Sequence, residues 1–259
     1  MHILVTGATG ALGRDVVKVL LERRHRVRIL SRKPGIGDDW VHGDLVTGAG
    51  LETAVTGIDA IIHAGSATTE WTKLHATDVV GTRRLLAMAR EAGVGHAIYI
   101  SIVGMEGVPS YPYYKAKLEA EAVVREGIVP WSILRATQFH TLMETFLSGL
   151  TKLPRLATVP YQWKFQPVDT RDVATRLADA AGMEAAGMLP DFGGPEVRDF
   201  KSIAVSWLQA RRLNKRLVNL WLPFKFSREF ADGKLLCPGH KEGTVTFEQY
   251  LDKRYPKPT

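Results

Sequence analysis

HILVTGATGALGRDVVKVLLERR, residues 2–24, decides the fold. HILVT, residues 2–6, is a short apolar run with β-branched members, the pattern of a strand buried in a parallel sheet. It ends in GATGALG, where Gly7, Gly10 and Gly13 stand at the spacing G-x-x-G-x-x-G. RDVVKVLLERR then continues as an apolar and charged helical pattern. Each glycine has a mechanical reading. The first makes the tight turn, the second lets the backbone approach a pyrophosphate, and the third lets helix and strand pack closely. The start of the helix offers N–H groups and the positive end of its dipole to phosphate oxygens. A second strand, RVRIL at 26–30, supplies the context that the glycine motif requires. The stretch predicts a dinucleotide site.

The end of that second strand bears on which dinucleotide. A site for NAD usually places Asp or Glu there, to bind the ribose 2′-hydroxyl. This chain has Ser31, Arg32 and Lys33, and no carboxylate until Asp38. Two cations and a hydroxyl suit a 2′-phosphate, which the planar guanidinium fork binds well. Arg14, just inside the first helix, is a candidate second clamp. NADP(H) is the expected cofactor.

Outward from this unit the pattern repeats. DAIIHAG (59–65) reads as a strand ending in small residues, and KLHATDVVGTRRLLAMAREAG (73–93) as one long helix stopped by Gly93. AIYIS (97–101) and WSILRA (131–136) read as further strands. Strands alternating with helices at this spacing mean a doubly wound parallel sheet of Rossmann type, an α/β fold. Ligands of such sheets lie beyond the carboxyl ends of the strands. Gly7 to Gly13, Arg32, His63 to Gly65 and Ser101 fall there. The expected organisation is a Rossmann core over 1–136 and a smaller mixed lobe over 137–259 that completes the sheet and covers the site. In that lobe Asp169, with Asp172 three residues on, reads as an acidic variant of a capping box rather than as chemistry. The aromatic residues Trp163, Phe165, Trp207 and Trp221 read as core.

Bulk properties exclude several classes. The chain has 259 residues, 45% hydrophobic and 24% charged, ordinary for a globular protein that buries a real core. The single cysteine, Cys237, excludes an internal disulfide framework and fits a reducing compartment. It reads as a small apolar filler. The opening MHILVTGATG is too short and glycine-rich for a signal peptide, and no apolar run reaches the roughly 20 residues of a spanning helix. A cytoplasmic protein without membrane or nucleic-acid partners is expected. The net charge of +7 is densest in RRLNKR, 211–216, and reads as a solvated basic face. No metal site is expected, and the oligomeric state is open.

SYPYYKAKLEAE, residues 110–121, contains Tyr-x-x-x-Lys twice, as Tyr111 with Lys115 and Tyr113 with Lys117. Positions four apart share a helix face, and a shift of two turns that face by roughly 200°. Pro112 settles the register. It disfavours helix in the residue before it and is at home in a first helical turn. Tyr111 is expected outside the helix, with Tyr113 and Lys117 inside it, one turn apart.

TGATGALGR, GDL at 43–45, DVVGTRRLL at 78–86, YIS at 99–101 and YYKAKLEAE at 113–121 occur in the order of short-chain dehydrogenase/reductases. ILRATQFH, VDTRDVA and GGPEV resemble the atypical, NmrA-like branch. The resemblance reaches to about residue 200. It implies NADP(H) lying along Gly7, Thr9, Gly10, Ala11, Leu12, Gly13, Arg14, Ser31, Arg32, Lys33, Asp44, Leu45, His63, Ala64, Gly65 and Lys117. It also implies Tyr113 as acid/base and Lys117 as the cation that lowers the tyrosine pKa. Extended members carry a catalytic Ser or Thr where this chain has Val103, and Ser101 is the candidate substitute. Asp78 stands where an asparagine is common. Gln138, Phe139 and His140 are candidates for a substrate pocket. The function expected is reduction of a quinone, ketone or similar small carbonyl compound. The alternatives are a non-catalytic NADP(H) sensor of the NmrA-like type and, against Val103 and Ser31-Arg32-Lys33, a nucleotide-sugar epimerase or dehydratase.

Overall fold

A computed structural model describes residues 1–68 and 71–256. The apolar run forms β1 (His2–Thr6), in which Ile3, Leu4 and Val5 are fully buried. The glycine turn leads into α1 (Ala11–Glu22), and β2 (Arg26–Ser31) returns parallel to β1, Ile3 opposite Val27. There follow β3 (Trp40–His42), the short α2 (Leu51–Val55) and β4 (Ala60–His63). A π-helical segment, His75–Val80, leads into α3 (Gly81–Glu91), then come β5 (His96–Ile102), α4 (Pro112–Arg125) and β6 (Trp131–Ala136). The remaining elements are α5 (His140–Leu150), β7 (Leu156–Val159), β8 (Lys164–Phe165), α6 (Thr170–Ala181) and β9 (Gly187–Met188). The chain ends with β10 (Arg198–Asp199), α7 (Phe200–Ala210), β11 (Arg216–Asn219), α8 (Lys225–Ala231) and α9 (Phe247–Arg254).

The described residues form a mostly parallel seven-stranded sheet in the order β3-β2-β1-β4-β5-β6-β9, with flanking helices. The order reverses at β1, whose neighbours are β2 and β4. That is the switch point beside which open α/β sheets leave a crevice. One core joins Leu4, Leu30 and Ile61 of the strands to Leu51, Leu85, Leu86 and Val124 of the helices. Each such side chain contributes about 1.5–3 kcal/mol on burial.

Two compact units divide the chain. The first comprises 1–101, 112–135 and 173–190, and therefore takes all of α6 after its first three residues, and β9, from beyond residue 136. The second comprises 102–111, 136–172 and 191–259. Within the second, two small sheets pair β10 with β8 and β11 with β7. Its core is aromatic: Trp163 stacks on Phe230 with centroids 5.0 Å apart, and Phe165 meets Phe200 edge-on at 5.1 Å.

Four local expectations are corrected. The helix expected over 73–93 runs unbroken over 74–91 but opens with a π turn, where the Asp78 carbonyl is taken by the Thr82 hydroxyl at 2.5 Å. Trp221 is 70% exposed, not core, because it follows the edge strand β11 in an irregular segment. Asp169 does cap α6, accepting from the Arg171 N–H, but Asp172 turns away to the Thr244 N–H and hydroxyl, so no capping box closes. The basic run at 211–216 is not wholly solvated, since Lys215 donates to the carbonyls of Thr151 and Leu153 and Arg211 lies over the Trp207 ring.

Candidate functional site

The glycine turn is built by sterics that no other residue satisfies. Gly7 has φ +69°, and a Cβ there would lie 2.4 Å from the Ala64 carbonyl oxygen. A Cβ at Gly13 would lie 2.1 Å from the Gly7 carbonyl oxygen, so the third glycine lets α1 sit against the turn. The turn closes with Gly10 N–H donating to Gly7 O at 2.9 Å. No side chain caps α1, which leaves its first N–H groups to a ligand or to water. Thr9, Ala11 and Leu12 line the same turn, and exposed Arg14 donates to the Thr9 carbonyl. Backbone this close to the end of β4 makes a cradle for a group bearing a pyrophosphate. The residues present fit a dinucleotide.

Beside it, the loop after β2 is held at three points. The Ser31 hydroxyl accepts from the Lys33 N–H, Trp40 Nε1 donates to the Lys33 carbonyl, and His42 Nε2 donates to the Arg32 carbonyl. Arg32 and Lys33 are thereby presented, exposed, on a fixed backbone. Asp44 folds its own loop by accepting from the Val46 N–H, and Leu45 packs where Gly81 leaves room. Trp40 and His42 escaped the sequence reading because a three-residue strand carries almost no periodicity.

At the end of β4 the His63 ring is committed internally. Its Nδ1 lies 2.6 Å from the Thr6 hydroxyl and its Nε2 lies 2.9 Å from the Thr82 hydroxyl. Thr82 gives its proton to the Asp78 carbonyl, so His63 Nε2–H donates to Thr82. Nδ1 therefore accepts from Thr6, whose oxygen in turn accepts from the Gly65 N–H. Burial, and then the nearby charge of Lys117, push the His63 pKa down to about 3, and the ring is neutral. Ala64 and Gly65 present backbone to the cradle.

Pro112 begins α4, and Tyr111 lies outside it, against Phe226 and Phe230 of the second unit. Tyr113 is half-buried, Lys117 is buried, and Lys115 is exposed. Lys117 Nζ donates to the Tyr99 hydroxyl at 2.5 Å and to the Ile100 carbonyl at 2.9 Å, and sits 4.0 Å from the Tyr99 ring centroid. Burial lowers its pKa to about 8, against the opposing pull of Asp78 and Glu121. Glu121, one turn further along, is neutralised by Arg135 at 2.6 Å and Arg125 at 3.1 Å. Ser101 is buried at the carboxyl end of β5. The buried Asp78 carboxylate accepts from the Ser66 hydroxyl at 2.5 Å and the Ala67 N–H at 3.0 Å. The Ser66 oxygen lies 3.4 Å from the Tyr113 hydroxyl.

Gln138, Phe139 and His140 belong to the second unit. Gln138 donates to the Leu235 carbonyl and accepts from the Gln166 N–H. His140 donates to the Val245 carbonyl and stacks on Tyr250, and burial lowers its pKa. Phe139 is half-buried at the start of α5. Burial pushes the Cys237 thiol up to about 12, which makes it inert as a nucleophile.

A family model described as NAD(P)H-binding matches residues 7–157. The chain belongs to this NAD(P)H-binding family. Within it, the chain is a short-chain dehydrogenase/reductase of the atypical, NmrA-like kind, and its cofactor is a nicotinamide dinucleotide. One similar family member is a (4-alkanoyl-5-oxo-2,5-dihydrofuran-3-yl)methyl phosphate reductase of Streptomyces griseus. It is 31% identical over 75% of this chain and 68% of its own length. A photosystem II assembly factor of Trieres chinensis is 29% identical over 67% of this chain and 57% of its own. Among solved structures, a short-chain dehydrogenase/reductase superfamily protein of Agrobacterium tumefaciens with bound NAD shares the fold. Its TM-score is 0.75, with 23% identity over 98% of this chain and 95% of that one. No helix among the described residues is long and apolar enough to cross a membrane.

Proposed function

We propose that this dehydrogenase/reductase uses NADPH to reduce a quinone, ketone or other small carbonyl compound. The observation that carries the reading is α4. It sets Tyr113 and a buried Lys117 one turn apart, in the same unit and at the same strand ends as the glycine cradle. A nicotinamide held there supplies hydride to the carbonyl carbon. Tyr113 gives its proton to the carbonyl oxygen, and Lys117 provides the cation that offsets charge developing on the phenol. NADPH rather than NADH is favoured by Arg32 and Lys33 on the pinned loop, with no carboxylate at the end of β2. The similarity to a reductase supports reduction as the class of chemistry.

A second reading, a redox sensor that binds NADP(H) without turnover, is favoured by the buried Val103 at the place of the usual hydroxyl. Consumption of NADPH by the purified protein with a panel of quinones, ketones and aldehydes separates the two. Turnover is expected to fall by about 10²–10⁴-fold in Tyr113→Phe and to survive in Tyr111→Phe. Tight NADPH binding with no turnover across the panel would favour the sensor.

A further inference from the structure

The family resemblance expects a serine or threonine beside the tyrosine, and Val103 cannot serve. A different hydroxyl reaches it. Ser66, in the loop after β4, places its oxygen 3.4 Å from the Tyr113 hydroxyl. The loop is fixed at Gly65, whose N–H donates to Thr6, and at Ala67, whose N–H donates to Asp78. Ser66 has one proton, and at 2.5 Å it goes to the Asp78 carboxylate. Both Asp78 oxygens accept, one from Ser66 and one from the Ala67 N–H, so the polarity of the chain is set: Tyr113 O–H toward Ser66, Ser66 O–H toward Asp78. An asparagine at 78 could present its NH₂ to Ser66 and reverse that order.

We propose that Ser66 is the hydroxyl partner of Tyr113, and that Asp78 fixes its polarity so that Tyr113 is held protonated, as the donor in carbonyl reduction. This rests on the reductase reading. Accepting a hydrogen bond from the phenol, with a negative charge behind it, favours the neutral form. Groups set against Tyr113 among the described residues include Ser66 after β4, with Asp78 of the π segment behind it, Tyr99 of β5 and Tyr114 of α4. The Lys117 cation, which works the other way, is directed at Tyr99 and Ile100. In the reductive step the Tyr113 O–H bond breaks and its proton goes to the substrate oxygen as the carbonyl carbon is reduced. Water then returns a proton to the phenolate, and the Tyr113 O–H again points to Ser66, which has donated to Asp78 throughout.

The test is a titration of the Tyr113 phenol by NMR in protein labelled at tyrosine Cζ, its signal assigned by loss in Tyr113→Phe. Alongside it, kcat and the KM for NADPH are measured with a substrate from the panel. Ser66→Ala and Asp78→Asn are each expected to lower the phenol's titration midpoint by about one pH unit. Ser66→Ala is also expected to lower kcat by about tenfold or more with the KM for NADPH unchanged, and Ser66→Thr to restore it. A midpoint that stays put in both variants overturns the proposal. If no substrate turns over, the reductase reading fails by itself, and the titration still decides whether Ser66 and Asp78 act on Tyr113. If Ser66→Ala does not fold, Ser66→Cys, of similar size and a weaker donor, carries the same test.

Discussion

At the scale of single residues, His63 shows how far a side chain's task can lie from its sequence neighbourhood. The chain order marks it as the end of a strand beside the cofactor. Its ring instead joins Thr6, 57 positions away, to Thr82, 19 positions away, as a neutral pillar. Its pKa, depressed by burial from 6.5 to about 3, has a consequence for stability. Between those values the unfolded chain binds the proton and the folded chain does not, so stability falls as pH falls through that window. The slope is at most about 1.4 kcal/mol per pH unit. Urea unfolding of His63→Gln at pH 6.5 and pH 4.5 is expected to show a shallower acid loss than wild type. Equal slopes would mean that the ring is protonated in the fold. Lys117 follows the same logic at the other end of the scale. Burial lowers its pKa to about 8 from 10.5, so its charge opposes folding below about pH 8 and that cost is relieved as pH rises toward 10.5. Lys117→Met is expected to abolish turnover while leaving the protein at least as stable at pH 7, measured by denaturant titration.

At the scale of elements, two short loops do most of the placing. The glycine turn between β1 and α1 was legible because its spacing, strand and helix lie next to one another in sequence. Its strictness was not, since only the fold shows the Gly13 Cβ position 2.1 Å from the Gly7 carbonyl oxygen. Gly13→Ala is expected to cost about 1–3 kcal/mol by overpacking and to weaken NADPH binding, read by thermal shift and by fluorescence titration. The loop after β2 was read for its charges, and the structure adds the strand that pins it. Replacing Arg32 and Lys33 by alanine removes charge-assisted hydrogen bonds worth about 1.5–3 kcal/mol, so the ratio of NADPH to NADH affinity is expected to fall about ten- to hundredfold. An unchanged ratio would place the 2′-phosphate elsewhere or assign NAD. The π turn before α3 was not legible, because helical periodicity does not register one inserted residue. It is this turn that carries Asp78 to the Ser66 loop.

At the scale of the whole molecule, a cofactor that binds only the folded state stabilises it by mass action, about 2.7 kcal/mol at one hundred times its Kd. NADPH is expected to raise the Tm and to slow amide exchange around residues 7–14, 31–33 and 64–65, the segments expected to hold it. Protection that avoids these segments would contradict the site. The doubly wound parallel sheet and the nicotinamide cofactor were both written in the sequence, while the strand order around β1 came from the fold. Buried parallel strands read as continuous apolar runs, and a phosphate cradle needs glycines at fixed local spacing. Pro112 likewise put Tyr111 outside α4 and Tyr113 inside it, by a rule acting on adjacent residues. The hydroxyl beside that tyrosine was decided by tertiary structure alone. Ser66, Asp78 and Tyr113 meet only because the loop after β4, the π segment and the start of α4 come together in the fold, and a single sequence carries no record of such distances.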